Sequence, residues 1–199
     1  MIYPKEFSNL IEDFKLLPGI GDKSAERYIY AVDSLEIEQI EKFAEDLVNF
    51  KKNIKKCDNC GHYTNKELCE VCEDEKRDIS TICVVEDSKS VFMFEKSGNY
   101  KGLYHVLGNL ISPIDDVNPD DINLNSLISK RITSEVKEVI LALNPSIEGE
   151  TTSLYIQKLL EKMNVKVSRL SYGIPVGSDI EYLDPITLNR AIDDRKMIS

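Results

Sequence analysis

The chain has 199 residues, with 35 acidic against 25 basic side chains and a formal net charge of −10. That length holds one large domain or two small ones, and 42% hydrophobic with 30% charged residues is the make-up of an ordinary globular protein. The acidity excludes nonspecific nucleic-acid binding by the whole surface, so any DNA contact must be concentrated on a local basic face; no membrane-spanning stretch or signal-peptide pattern is visible, which predicts a cytoplasmic protein with reduced thiols.

Phe7, Leu10, Ile11, Phe14 and Leu17 recur at helical spacing and predict a first helix, which Pro18 stops. Leu17-Pro18-Gly19-Ile20-Gly21 follows, and a second helix is expected from Asp22 through Arg27. Helix, glycine turn, helix is the helix-hairpin-helix pattern. Gly19 and Gly21 would let backbone N–H groups approach a phosphate, and the second helix would add its positive N-terminal end. Lys23 and Arg27 lie four apart and share one helix face. Such a contact reads phosphate and ignores base sequence. A plain αα-hairpin with two solvated cations has the same pattern. Ile37, Ile40, Ala44 and Leu47 predict a third helix that ends in the basic run Lys51 to Lys56.

Cys57-Asp58-Asn59-Cys60 and Cys69-Glu70-Val71-Cys72 are two Cys-x-x-Cys pairs. Each pair can present two thiolates to one ion, and together they complete a closed tetrahedral four-sulfur shell. The expectation is one structural Zn²⁺ per chain, with Gly61 supplying a positive φ at the first knuckle. Two disulfides or a redox pair are the alternatives, and nothing in the chain suggests the export that disulfides need. Cys83 falls in an apolar run and reads as a small core residue.

Beyond the cysteines the pattern changes. Thr81–Val85, Leu103–Leu107, Val139–Leu143 and Val165–Leu170 read as buried strands. Helical segments fall around Val91 to Phe94, from Leu124 to Ile132 and around Ile156 to Met163, with Gly108 to Asn118 as a loop. Strands alternating with helices imply an α/β fold with a parallel sheet. Function in such sheets sits at the carboxyl ends of the strands. That gathers Glu86, Asp87, Asn144, Glu148 and Glu150 near one edge. A last helix runs from Pro185 to Arg195, with Asp184 as its N-cap.

An acidic residue ending the first strand resembles the topoisomerase–primase (Toprim) domain, whose enzymes hold Mg²⁺ with that glutamate and a later Asp-x-Asp pair. Glu86 matches the glutamate. The Asp-x-Asp place reads Asn144-Pro145-Ser146, so two expected carboxylates are missing and Mg²⁺ would be held poorly.

In this order the pieces resemble the RecR family of bacterial recombination mediators over nearly the whole chain. The carriers are Leu17-Pro18-Gly19-Ile20-Gly21 with Lys23 and Arg27, the four cysteines, Gly102-Leu103-Tyr104-His105-Val106-Leu107-Gly108, Ser112-Pro113, Asn144-Pro145 with Glu148-Gly149-Glu150, and Tyr172-Gly173-Ile174-Pro175-Val176-Gly177. Asp22 departs from a common proline and adds a negative charge beside the expected phosphate contact. The resemblance implies a helix-hairpin-helix DNA-binding region at 1–55, a zinc module at 56–78, a Toprim domain at 79–172 and a C-terminal oligomerisation segment at 173–199 with a Walker B-like stretch. It implies a non-enzymatic, nucleoid-associated clamp, a homotetramer or dimer, on double-stranded and gapped or single-stranded DNA. Such a clamp works with RecO, and in many bacteria RecF, to load RecA. Glu86, Glu148 and Glu150 are expected to be mutually repelling carboxylates that bind RecO, against the plainer reading of a solvated acidic rim. The contrasting function is a Mg²⁺-dependent Toprim enzyme, a nuclease, primase or topoisomerase.

Overall fold

The apolar stripe of the first helix meets that of the second and forms a small core. A computed structural model describes residues 3–171 and 173–197, so Tyr172 of the family motif lies outside the described residues. The chain divides into two compact units, 1–54 and 55–199.

In the first unit, α1 (Lys5–Lys15) and α2 (Asp22–Asp33) pack through Ile11, Ala25 and Ile29, with Phe7, Leu10, Phe14 and Ile20 against them. The third helix, α3 (Ile37–Asn53), opens with a reciprocal capping box between Glu36 and Gln39. It buries no residue: Ile37, Phe43, Leu47, Val48 and Phe50 are all exposed. The apolar stripe expected there exists: Ile40 is half-buried beside Phe7 and Leu10, and the stripe is exposed from Phe43 onward. The basic run expected at its end divides. Lys51 and Lys52 finish the helix, and Lys55 and Lys56 form a strand.

The second unit begins with a hairpin of β1 (Lys55–Lys56) and β2 (Tyr63–Thr64), followed by the short α4 (Glu70–Glu73). The main sheet has four parallel strands in the order β4-β3-β5-β6. They are β3 (Asp78–Val85), β4 (Gly102–Val106), β5 (Glu138–Ala142) and β6 (Lys166–Arg169). Strand alternation sorts β3 between two cores. Ile82 and Val84 join Val139, Leu141, Ile156 and Leu160 on one face. Cys83 and Val85 join Val91, Tyr104, Val106, Ala142 and the zinc-module cysteines on the other. Cys83 is the small core residue its apolar setting predicted, and burial pushes its thiol pKa up to about 12.

Helices cover both faces. On one side lies α5 (Ser88–Ser97). On the other are α6 (Leu124–Ser126), which runs on as a π-helix over Leu127–Arg131, and α7 (Ile147–Leu160). The π turn departs from the uniform helix expected at Leu124 to Ile132. Its widening lets Arg131 turn inward, where Nη2 donates to Tyr104 O at 3.1 Å. The last helix, α8 (Pro185–Asp193), starts where expected: Asp184 accepts from the backbone N–H groups of Ile186 and Thr187.

Gly149, in the first turn of α7, has no room for a side chain. A Cβ there would lie 1.9 Å from Asn144 O. An exposed helical glycine replaced by alanine gains up to about 1 kcal/mol. Here the clash with backbone outweighs that gain. Gly149→Ala is expected to cost about 1–3 kcal/mol, read as a lowered urea midpoint at unchanged slope; a raised midpoint would contradict the close approach.

Candidate functional site

Three places carry chemistry, and each is built by local backbone. The first is the turn between α1 and α2. Gly19 has φ +82°, a left-handed conformation that favours glycine. Gly21, the N-cap of α2, has φ −98°, which any residue can adopt, and open space where a Cβ would stand. Its use is the bare approach it leaves to the helix end. No side chain caps α2. Lys23 and Arg27 are exposed, and the Arg27 guanidinium lies 5.4 Å from the Tyr28 ring centroid. Asp22 does not stand uncompensated there. Lys15 Nζ approaches its carboxylate at 2.9 Å. That contact, and a second to Glu12, raise the Lys15 pKa. The neighbouring Glu26 accepts from the Tyr3 hydroxyl at 3.0 Å.

The second place is the four-cysteine cluster. All four thiols are free, with Cys57, Cys60 and Cys69 buried and Cys72 partly so. Their sulfurs lie within 4.8 Å of one another, and Cys60 Sγ and Cys69 Sγ are 3.5 Å apart. A zinc ion with bonds of about 2.3 Å needs sulfurs about 3.8 Å apart, so the shell fits. The Cys69 N–H donates to Cys57 Sγ at 3.3 Å and orients a ligand from outside the shell. Hydrogen bonds from Cys60 and Cys72 hold the Cys69 thiol far below its usual pKa, and the Cys60 thiol is pushed up in return. Four thiolates this close repel one another, and a divalent cation is what lets them ionise together. Gly61 has the expected positive φ, +76°.

The knuckle is joined to the sheet. Val106 N–H donates to Cys60 O at 2.8 Å, and Asn123 Nδ2 donates to Val106 O at 3.0 Å. Below it, Arg77 grips both carboxylate oxygens of Glu95, which also accepts from the Tyr104 hydroxyl at 2.7 Å. The Arg77 guanidinium beside it holds the Glu95 pKa below the usual range.

The third place is the carboxyl edge of the sheet. Asn144 Nδ2 donates to Glu86 Oε2 at 2.6 Å. Asp87 is spent as the N-cap of α5, accepting from Ser90 N–H, which lowers its pKa. Ser146 caps α7. Glu148 sits in the first turn of α7, where a backbone N–H and the Ser146 hydroxyl lower its pKa. Glu150 turns elsewhere: its carboxylate meets Arg169 at 3.4 Å and Arg190 at 3.9 Å, while Arg169 also meets Asp194 at 3.5 Å. Glu86, Glu148 and Glu150 therefore do not form the mutually repelling cluster expected from their sequence positions. Glu86 is satisfied by an amide, and Glu150 ties β6 and α8 together. Among the described residues only the cysteines bring three or more potential metal ligands within reach of one another. The arginine network and the Arg77–Glu95 pair gave no sequence signal, because their partners are 18 to 40 positions apart.

Comparison with known proteins covers the chain from end to end. Residues 7–51 match the family model for the RecR helix-hairpin-helix, and 54–74 that for the RecR four-cysteine zinc finger domain. Residues 80–171 match the Toprim domain and 173–196 the RecR C-terminal region. Recombination protein RecR of Staphylococcus saprophyticus is 47% identical over 195 residues, covering 98% of both chains. The proteins of the same name from Staphylococcus aureus and Staphylococcus haemolyticus have the same identity and coverage.

The zinc module shares its core with β4, so metal removal reaches beyond the knuckles. Purified protein is expected to carry about one Zn²⁺ per chain, and chelation or Cys60→Ser to speed amide exchange at Val106 well before Val139. Zinc-free protein with Val106 still protected would overturn this coupling.

Proposed function

We propose a role in recombinational DNA repair for this chain, which belongs to the RecR family of recombination proteins. The reading is a DNA-binding mediator that is not an enzyme. The observation that carries it is the α1–α2 turn: an uncapped helix start, a glycine with nothing in front of it, and two exposed cations on one face. Gly19, Gly21, Lys23 and Arg27 would hold a phosphate of the DNA backbone, single- or double-stranded.

Lys23→Ala with Arg27→Ala should remove most duplex binding, by about 10-fold or more, and reduce its salt slope by about two. The loss should be equal for unrelated sequences, with thermal stability unchanged. Wild-type affinity in that double variant would rule out the hairpin as the contact.

The exposed apolar face of α3, and Val176, Ile180 and Tyr182 in the C-terminal segment, support self-association into a dimer or tetramer. In the family reading that assembly works with RecO, and in many bacteria RecF, to load RecA on gapped single-stranded DNA. The sheet edge is the proposed RecO contact. A groove of about 620 Å³ runs there between α5 and β5, lined by Asp87, Met93, Asn144 and Leu170, and Glu148 stands close by in sequence. Glu86 and Glu150 would act through their neighbours, since their carboxylates are engaged.

The contrasting reading is a Mg²⁺-dependent Toprim enzyme. The Asn144–Glu86 hydrogen bond argues against it, because an amide now fills the role a bridging cation would have. Glu148→Gln should weaken RecO association and RecA loading, with raised salt mimicking the change. DNA binding and zinc content should stay as they were. A Mg²⁺-dependent cleavage or synthesis activity lost in Glu148→Gln would reverse the choice between mediator and enzyme.

A further inference from the structure

The second unit exposes two aromatic rings on one strip, and neither packs into a core. Tyr63, in β2, is 44% exposed, and Phe92, midway along α5, is 56% exposed. Between them sits His62, buried to 7% exposure. Its ring meets Phe92 edge-on at a centroid distance of 4.8 Å and Tyr63 at 6.4 Å. His62 Nδ1 is buried and has no hydrogen-bond partner among the described residues, so the ring acts as a wedge that joins the zinc hairpin to α5, with an outer ring against it on each side.

Cations flank the strip. Lys56 is paired across the hairpin with Tyr63 and holds Nζ 4.1 Å from that ring's centroid. Lys89 and Lys96 lie three positions before and four after Phe92, on the same face of α5, and both are exposed. Met93, also exposed, widens the apolar surface beside Phe92. Among the described residues none of these three lysines is in an ion pair. The nearest acid on α5, Glu95, has its charge taken by Arg77.

Exposed aromatic rings framed by cations suit one ligand above others. The rings offer π-faces to unstacked bases and the lysines meet the phosphates between them. Duplex DNA hides its base faces and gains little here. A chain of net charge −10 has few places where phosphate is welcome, and this strip is locally basic.

We propose that Tyr63 and Phe92, with Lys56, Lys89 and Lys96, form a stacking site for unpaired bases of single-stranded DNA. The site deepens the DNA-binding reading above and is separate from the hairpin. It would give the molecule a preference for strand type, which phosphate contacts at α2 cannot supply.

The test uses the full-length, zinc-loaded protein and fluorescence anisotropy with a labelled oligo-thymidylate and a blunt duplex. Tyr63→Leu and Phe92→Leu keep apolar bulk against His62 and remove the π-face. Each is expected to weaken oligo-thymidylate binding about 10-fold, with duplex binding and zinc content unchanged, and Phe92→Trp to retain it. Lys23→Ala with Arg27→Ala should show the converse, losing duplex binding and keeping residual binding of the single strand. The proposal falls if the leucine variants bind oligo-thymidylate as the parent does, or if they lose duplex and single strand equally. Equal affinity for oligo-uridylate would overturn the assignment to DNA. Normal duplex binding by the hairpin variant would sink the hairpin contact alone and leave the stacking site standing.

Discussion

Four thiols within 4.8 Å of one another are a constraint on everything around them. Without a cation their charges cannot coexist: the Cys69 thiol is held far below its usual pKa and the Cys60 and Cys72 thiols are pushed up. With one, the loop from Cys57 to Cys72 has a single geometry. That geometry aims Cys60 O at Val106 N–H, positions His62 against Phe92, and adds three buried sulfurs to the core beneath β3 and β4. The module is too small to bury a core alone. It borrows one face of the neighbouring sheet and returns cover to that face.

At the carboxyl edge of the same sheet, position 144 shows how a side chain can change the charge balance without changing the backbone. A parallel sheet brings strand ends together whatever side chains they carry. Two carboxylates at Glu86 and at position 144 would repel and need a cation between them. An asparagine there donates a hydrogen bond instead, at 2.6 Å, and one negative charge stands where there would be two. Glu150 is neutralised by Arg169 and Arg190, which fastens the C-terminal helix to the sheet domain. The carboxyl edge is thus held by an amide–carboxylate hydrogen bond at Glu86 and by arginine pairs at Glu150.

Much of this was legible in the residues. The cysteine spacing, the glycine turn and the β-branched runs each express a local rule, and local rules survive in any surroundings. Asp184 as an N-cap is of the same kind. The fate of Glu150 was not legible, because its partners come from β6 and α8 and only the tertiary fold brings them near. The π turn at Leu127–Arg131 was hidden for a similar reason. The helix expected from Leu124 to Ile132 carries no sign of it until the Arg131 guanidinium is seen to reach Tyr104 O. The stripe on α3 was read correctly as apolar, yet periodicity says which face is apolar and not what covers it.

The acidity of the chain now has a physical place. Many of its acids are spent locally: on helix caps at Asp87 and Asp184, on lysines at Asp22 and Glu73, on arginines at Glu95 and Glu150. A paired carboxylate repels a distant phosphate much less than a bare one, since the pair's field falls off as a dipole's. The cations of the α2 face and of the α5 strip stay outside the ion pairs of the described residues, so net charge misjudges what a polyanion meets at close range. At a Debye length of about 8 Å in physiological salt, only that near neighbourhood is felt. An acidic protein can therefore address DNA at chosen patches while its remaining surface refuses it.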